Sequence, residues 1–149
     1  MFLSVLSLLC LPFLSLAQQN KLTVSPAEQI SVKRGGAVTA TLKLAVLPGY
    51  HVNSDKPKDE FLIPLKLTWS AGPLEVKSVT YPEPEEIKVG QDMLRVFTGT
   101  FDVKTEFKAS EQTPVGPLTV AGKLRYQACN NEMCFRPTSV EVHLPVIVE

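Results

Sequence analysis

The chain has 149 residues, the size of one domain, and its 15 Lys and Arg balance 15 Asp and Glu to a formal net charge of zero. That balance gives no support to nucleic-acid binding, which draws on a basic surplus. It leaves fold class and chemistry to the pattern of apolar residues and to three cysteines, Cys10, Cys129 and Cys134.

Residues Phe2 to Leu16 are almost continuously apolar, and Ser15-Leu16-Ala17 places small residues at the −3 and −1 positions of a signal-peptidase site. The run is too short to cross a bilayer and predicts a signal peptide over 1–17, followed by one domain over 18–149. Leu9 stands before Cys10, where a lipoprotein site takes a small residue, so Cys10 is expected to leave with the signal. No later stretch is long and apolar enough for stable membrane insertion. Export places the mature chain where disulfides form and persist.

Period-2 alternation then dominates. Short candidate strands lie at Leu22–Val24 and Ile30–Val32. In Val38–Val46 the apolar positions are 38, 40, 42, 44 and 46, and in Ile63–Trp69 they are 63, 65, 67 and 69. Leu74–Tyr81 is a further short candidate. Phe97–Val103 reads as one strand, Leu118–Tyr126 keeps one phase around Gly122, and Val140–Val148 makes the last run. Turn signals separate them: Arg34-Gly35-Gly36, Pro48-Gly49, Ala71-Gly72-Pro73 and Pro114-Val115-Gly116-Pro117. No 3.6-residue apolar period persists. Seven to nine short strands with one apolar face each predict an all-β fold, an immunoglobulin-like antiparallel β-sandwich.

The close cysteine pair, Cys129-Asn130-Asn131-Glu132-Met133-Cys134, lies between the last two long strands. Asn tolerates turn geometry, so Asn130-Asn131 predicts a hairpin tip. Fully extended, the segment would hold the two Cα atoms about 16 Å apart, whereas a disulfide needs roughly 4.4–6.8 Å. A ring this small stabilises by about 2 kcal/mol in the loop-entropy model, against about 4 for a ring of sixty residues. The pair is therefore either a weak staple or a redox centre whose exposed position suits thiol–disulfide exchange.

Other constellations carry less. A zinc site built on the cysteines lacks paired histidine spacing. No acidic loop has alternating ligands with the glycine that calcium needs, so no metal is expected. No Ser-His-Asp arrangement or phosphate-cradling glycine loop occurs. Asp55–Glu60 reads as a solvated loop and Glu83-Pro84-Glu85-Glu86 as a polar connection. His143 alternates with core residues and points outward. His51 follows a turn and reads as a loop histidine, with proton shuttle or thiolate stabiliser as the sharper alternative.

The flanks of the pair narrow the choice. Tyr126-Gln127-Ala128-Cys129, the turn, then Cys134-Phe135-Arg136-Pro137 resembles the N-terminal periplasmic domain of the bacterial DsbD thiol:disulfide interchange proteins. So does Leu47-Pro48-Gly49-Tyr50-His51-Val52-Asn53-Ser54, and so does the order of signal, turn, Pro-rich stretch, aromatic strand and cysteine hairpin. The resemblance implies an immunoglobulin-like domain, in agreement with the strand pattern. It further implies a periplasmic thiol–disulfide oxidoreductase that takes electrons from a thioredoxin-like donor. Disulfide-containing acceptors would follow, among them disulfide isomerases and cytochrome c maturation proteins. No cofactor is needed, since the cysteines carry the electrons.

Carried over, Cys134 would be the attacking cysteine, which holds the mixed disulfide, and Cys129 the resolving one, the two forming the disulfide Cys129–Cys134. Tyr126 and Phe135 would shape the apolar surround, with Tyr50, His51 and Asn53 across the pocket. This sequence departs in two places. The best-known members have one more residue between the cysteines. They also cover the disulfide with an aromatic-bearing loop, whereas Ile87–Arg95 has no aromatic residue and offers Met93 or Leu94 instead. Asp59-Glu60-Phe61 resembles such a cap but comes early in the chain and reads as a loop entering a strand. DsbD's membrane and thioredoxin-like parts do not follow here, so a separate membrane electron carrier is expected to supply the donor. The rival reading is a non-catalytic sandwich that binds a partner by a sheet edge, with a structural hairpin disulfide.

Overall fold

The computed structural model describes residues 20–149. The expected signal peptide and Cys10 lie outside the described residues. Among the described residues there is no helix, and none is long and apolar enough to cross a membrane.

Twelve strands among the described residues form three four-stranded sheets. In the first, β1 (Leu22–Val24), β3 (Ala37–Val46), β9 (Thr100–Ala109) and β6 (Leu74–Thr80) lie in that order. The second runs β2 (Ile30–Val32), β12 (Thr138–Val148), β10 (Gly116–Tyr126) and β5 (Lys66–Trp69). The third runs β11 (Ala128–Cys129), β4 (His51–Asn53), β8 (Asp92–Phe97) and β7 (Glu85–Val89). All pairings are antiparallel except β2 with β12. The architecture is an immunoglobulin-like β-sandwich.

The alternation that marks the long strands in sequence sets their burial. In β3, Ala40, Leu42, Leu44 and Val46 are buried while Thr39, Thr41 and Lys43 face water. On β9, Val103, Thr105, Phe107 and Ala109 point in. The opposing sheet contributes Val120, Leu124, Tyr126, Val142, Leu144, Val146 and Val148. Trp69 joins the layers: its ring meets Phe107 edge-on at 5.2 Å between centroids, and its indole N–H donates to Thr105 Oγ1 at 2.9 Å.

Gly122, in the middle of β10, makes room for that indole. A Cβ there would lie 2.7 Å from Trp69 Cε3 and 2.9 Å from Cζ3. Gly122→Ala is therefore expected to lower unfolding stability by about 1–3 kcal/mol through overpacking, read as a drop in the urea midpoint at constant m.

Three expectations are corrected. Phe97–Val103 is not one strand: Phe97 ends β8, Gly99 turns at φ 57°, and β9 begins at Thr100 in another sheet. The apolar alternation runs through this corner because Phe97 and Phe101 still pack together, 4.8 Å between ring centroids. The run Ile63–Trp69 enters the sheet only at Lys66. Pro64 has no N–H to give, and the amide and carbonyl of Ile63 are held by Gln127 and Asn53. Glu85 and Glu86 belong to β7 rather than to a connection, and the expected covering loop is the hairpin of β7 and β8. Gly90, at φ 62°, opens its two-residue turn, as the first central position of a type II′ turn requires.

The third sheet sits at one end of the sandwich. There β3 runs on into β4, β8 turns into β9 and β10 continues into β11. It gives Val52, Phe97 and Ala128 to the common core and presents β11 at its margin.

Candidate functional site at the cysteine hairpin

The hairpin is fixed by its own side chains. Asn130 Oδ1 accepts from the amides of Glu132 and Met133 at 2.9 and 2.8 Å, and the Asn130 amide donates to Met133 O at 2.9 Å. Below the turn, Phe135 N donates to Ala128 O at 2.8 Å. Cys129 and Cys134 thus stand directly opposite each other, joined as a disulfide with their Cα atoms 4.0 Å apart. Their environments differ. Cys129 is 1% exposed, whereas Cys134 is exposed at the margin.

Leu47-Pro48-Gly49-Tyr50 delivers the facing side. Pro48 sets the first central position, Gly49 has φ 81°, and Tyr50 N closes the turn onto Leu47 O at 3.1 Å, the signature of a type II turn. The chain then enters β4, where His51 pairs with Cys129 and Val52 with Ala128. His51 is a buried strand residue at 4% exposure, not a loop histidine. Its neighbours on this strand, Val52 and Asn53, are buried too.

Tyr50 and Phe135 meet across the hairpin base at 5.8 Å between centroids. Lys21 Nζ lies 4.8 Å from the Tyr50 centroid and 5.6 Å from that of Phe135, within cation–π range. Tyr126 is buried behind them. Burial holds its phenol above the ordinary value, opposed by backbone hydrogen bonds from Leu22 and Lys21. A groove of about 250 Å³ runs beside the hairpin base, lined by Lys21, Tyr126, Ala128, Phe135, Arg136 and Pro137.

Gln127 ties these pieces together. Its Oε1 accepts from Asn53 Nδ2 at 3.1 Å and from the Ile63 amide at 3.2 Å, while its Nε2 donates to Phe135 O at 3.2 Å. Asn53 Nδ2 also donates to Ile63 O at 3.0 Å. Gln127 and Lys21 are contacts of this cluster that sequence reasoning missed. The polar Gln127 between a strand and a cysteine was the available signal, and Lys21 carried none.

Cys129, Cys134, Tyr126, Phe135, Tyr50, His51 and Asn53 are thus brought to one end of the sandwich. Met93 is not. Phe97 is the β8 partner of Val52, and Met93 lies four residues further along, about 13 Å at strand rise. It lines a separate groove with Phe61, Leu62, Val89 and Leu94. Among the described residues no group of three or more His, Cys, Asp or Glu side chains could hold a metal ion.

Burial holds the His51 imidazole below its ordinary 6.5. Between the folded and unfolded values only the unfolded chain binds the proton. The associated stability is therefore complete above about pH 6.5 and falls as pH drops through that value. Urea midpoints measured across this range are expected to decline on the acid side, and the His51→Gln variant to lose that part of the decline.

The model of the family "Thiol:disulfide interchange protein DsbD, N-terminal" matches residues 18–145. The N-terminal periplasmic domain of ScsB from Proteus mirabilis superposes with a TM-score of 0.62 at 18% identity, covering 88% of this chain and 49% of that one. The chain thus spans about half the length of that relative, and the likeness is one of fold. The reduced N-terminal domain of Neisseria meningitidis DsbD gives a TM-score of 0.45 at 15% identity over 70% of this chain and 74% of that one. A type I cohesin from Pseudobacteroides cellulosolvens gives 0.46 at 17% identity over 86% and 92%. No curated protein sequence matches. With a family match over most of its length and the cysteine hairpin at the end of its sandwich, the chain belongs to the DsbD N-terminal family of thiol:disulfide interchange domains.

Proposed function

We propose that residues 18–149 act as a single periplasmic electron-relay domain, exported by the signal peptide at 1–17. It takes reducing equivalents from a thioredoxin-like donor. It passes them to periplasmic proteins with disulfides, cytochrome c maturation proteins among them. N-terminal domains of this family are periplasmic as a class, and exchange with thioredoxin-like partners is what the family implies.

The observation that carries the assignment of roles is the unequal burial of the two cysteines. Thiol–disulfide exchange needs a thiolate to reach a sulfur in line, so the exposed Cys134 takes the partner in either direction. An incoming donor thiolate attacks Cys134 and releases Cys129, and the donor's second thiolate then displaces Cys134 as the donor closes its own disulfide. In the outgoing direction the Cys134 thiolate attacks the acceptor's disulfide, and Cys129 then displaces the acceptor. Tyr50, Phe135 and Lys21 form the surface the partner meets, and Gln127, Asn53 and Tyr126 hold that surface in place. The test is capture: a Cys129→Ser variant, exported in a bacterial periplasm, accumulates mixed disulfides through Cys134. Absence of any captured thioredoxin-like or disulfide-containing protein favours the rival, a binding module with a structural bond.

A further inference from the structure

A buried thiol cannot hand its proton to water, and burial in apolar surroundings raises its pKa. Cys129 is 1% exposed, so its displacement step calls for an acceptor inside the protein. Two buried side-chain atoms on β4 have no hydrogen-bond partner: His51 Nε2 and Asn53 Oδ1. An amide oxygen is not a base at neutral pH, and Asn53 already sits against Gln127. His51 is the direct cross-strand partner of Cys129, as Cys134 is on its other side. Directly opposed residues share a face with Cβ atoms about 4.5–5.5 Å apart. Cys134, Cys129 and His51 therefore form a row from the surface inward.

We propose that His51 Nε2 accepts the Cys129 thiol proton when Cys129 resolves the mixed disulfide. The proposal rests on the relay reading above. In the mixed disulfide, Cys134 Sγ is bonded to a sulfur of the partner. Cys129 S–H gives its proton to Nε2, and the thiolate's electron pair forms the Cys129–Cys134 bond. The bond from Cys134 to the partner breaks, its electron pair leaves on the partner's sulfur, and that thiolate takes a proton from the imidazolium. Over both steps the domain's two thiols are oxidised to a disulfide, and the partner's disulfide is reduced to two thiols. The depressed basicity of the buried imidazole keeps it neutral, with a lone pair available. The absence of a partner for Nε2 also has an explanation: in the oxidised protein Cys129 has no proton to offer.

The test reacts the reduced protein with dithiobis(nitrobenzoic acid) in a stopped-flow instrument. The first thiolate released reports attack by Cys134, and the second reports displacement by Cys129. In His51→Gln the ratio of second-phase to first-phase rates is expected to fall by about tenfold or more, since general-base catalysis contributes about 10²–10⁴. An unchanged ratio overturns the proposal. If instead Cys134→Ser releases the first thiolate as fast as Cys129→Ser does, the relay reading itself fails and this proposal with it. Nitrogen NMR of the wild-type imidazole keeps the question open to refutation should His51→Gln not fold. The His51 Nε2 resonance is expected to move on reduction of the disulfide, and an unmoved resonance contradicts the proposed contact.

Discussion

Cys129→Ser is expected to accumulate covalent partner complexes, while Cys134→Ser accumulates about tenfold fewer or none. The difference follows from burial. Removing Cys129 leaves the exposed sulfur, still able to attack, and deletes the thiol that would release the partner. Removing Cys134 leaves a thiol that is 1% exposed beneath the hairpin. That thiol is closed to an incoming chain. Non-reducing electrophoresis of the two variants, followed by identification of the captured chains, measures the ratio. The ring closes only six residues, so its loss costs about 2 kcal/mol by loop entropy. Both variants are therefore expected to remain folded, and unequal capture reports reactivity rather than unfolding.

Trp69→Ala carries the largest expected loss of stability, about 3–5 kcal/mol. The indole spans the two sheets, edge-on to Phe107 and bonded to the buried Thr105 hydroxyl. Truncation opens a cavity over Gly122, where no side chain exists to fill it, and leaves a buried hydroxyl without its donor. Against a typical domain stability of about 5–15 kcal/mol this is a large fraction. The urea midpoint reads it. Phe61→Ala is the control: at 84% exposure that ring contributes little to the folded state, and its midpoint is expected to stay near wild type.

The long strands were legible because each buries one face. Period 2 survives wherever a sheet has a wet side and a dry side, as β3, β10 and β12 do. It fails in β4, where His51, Val52 and Asn53 are all buried. There the strand is covered on both faces at the end of the sandwich, and His51 reads as a loop residue. The corner at Gly99 was hidden for the opposite reason. Its flanking phenylalanines keep the alternation intact while the chain changes sheets.

At the site, the cysteine hairpin could be read from local turn chemistry, since Asn130 closes its own turn. The clamp around Gln127 could not. Its bonds to Asn53 and Ile63 join residues 74 and 64 positions apart, and no local pattern encodes such a meeting. Lys21 reaches Tyr50 and Phe135 only because β1 pairs with the end of β3. The substitution of Met93 for an aromatic cap assumed that Ile87–Arg95 would cover the sulfur. As a hairpin with its own two-residue turn, the segment faces the Phe61 loop instead.

A redox titration of the Cys129–Cys134 disulfide against glutathione or dithiothreitol tests the central claim most directly. A relay pair must exchange electrons with thioredoxin-like proteins, so the account predicts a midpoint above about −300 mV, within reach of such donors. A midpoint well below about −300 mV, in the range of inert structural bonds, would contradict it.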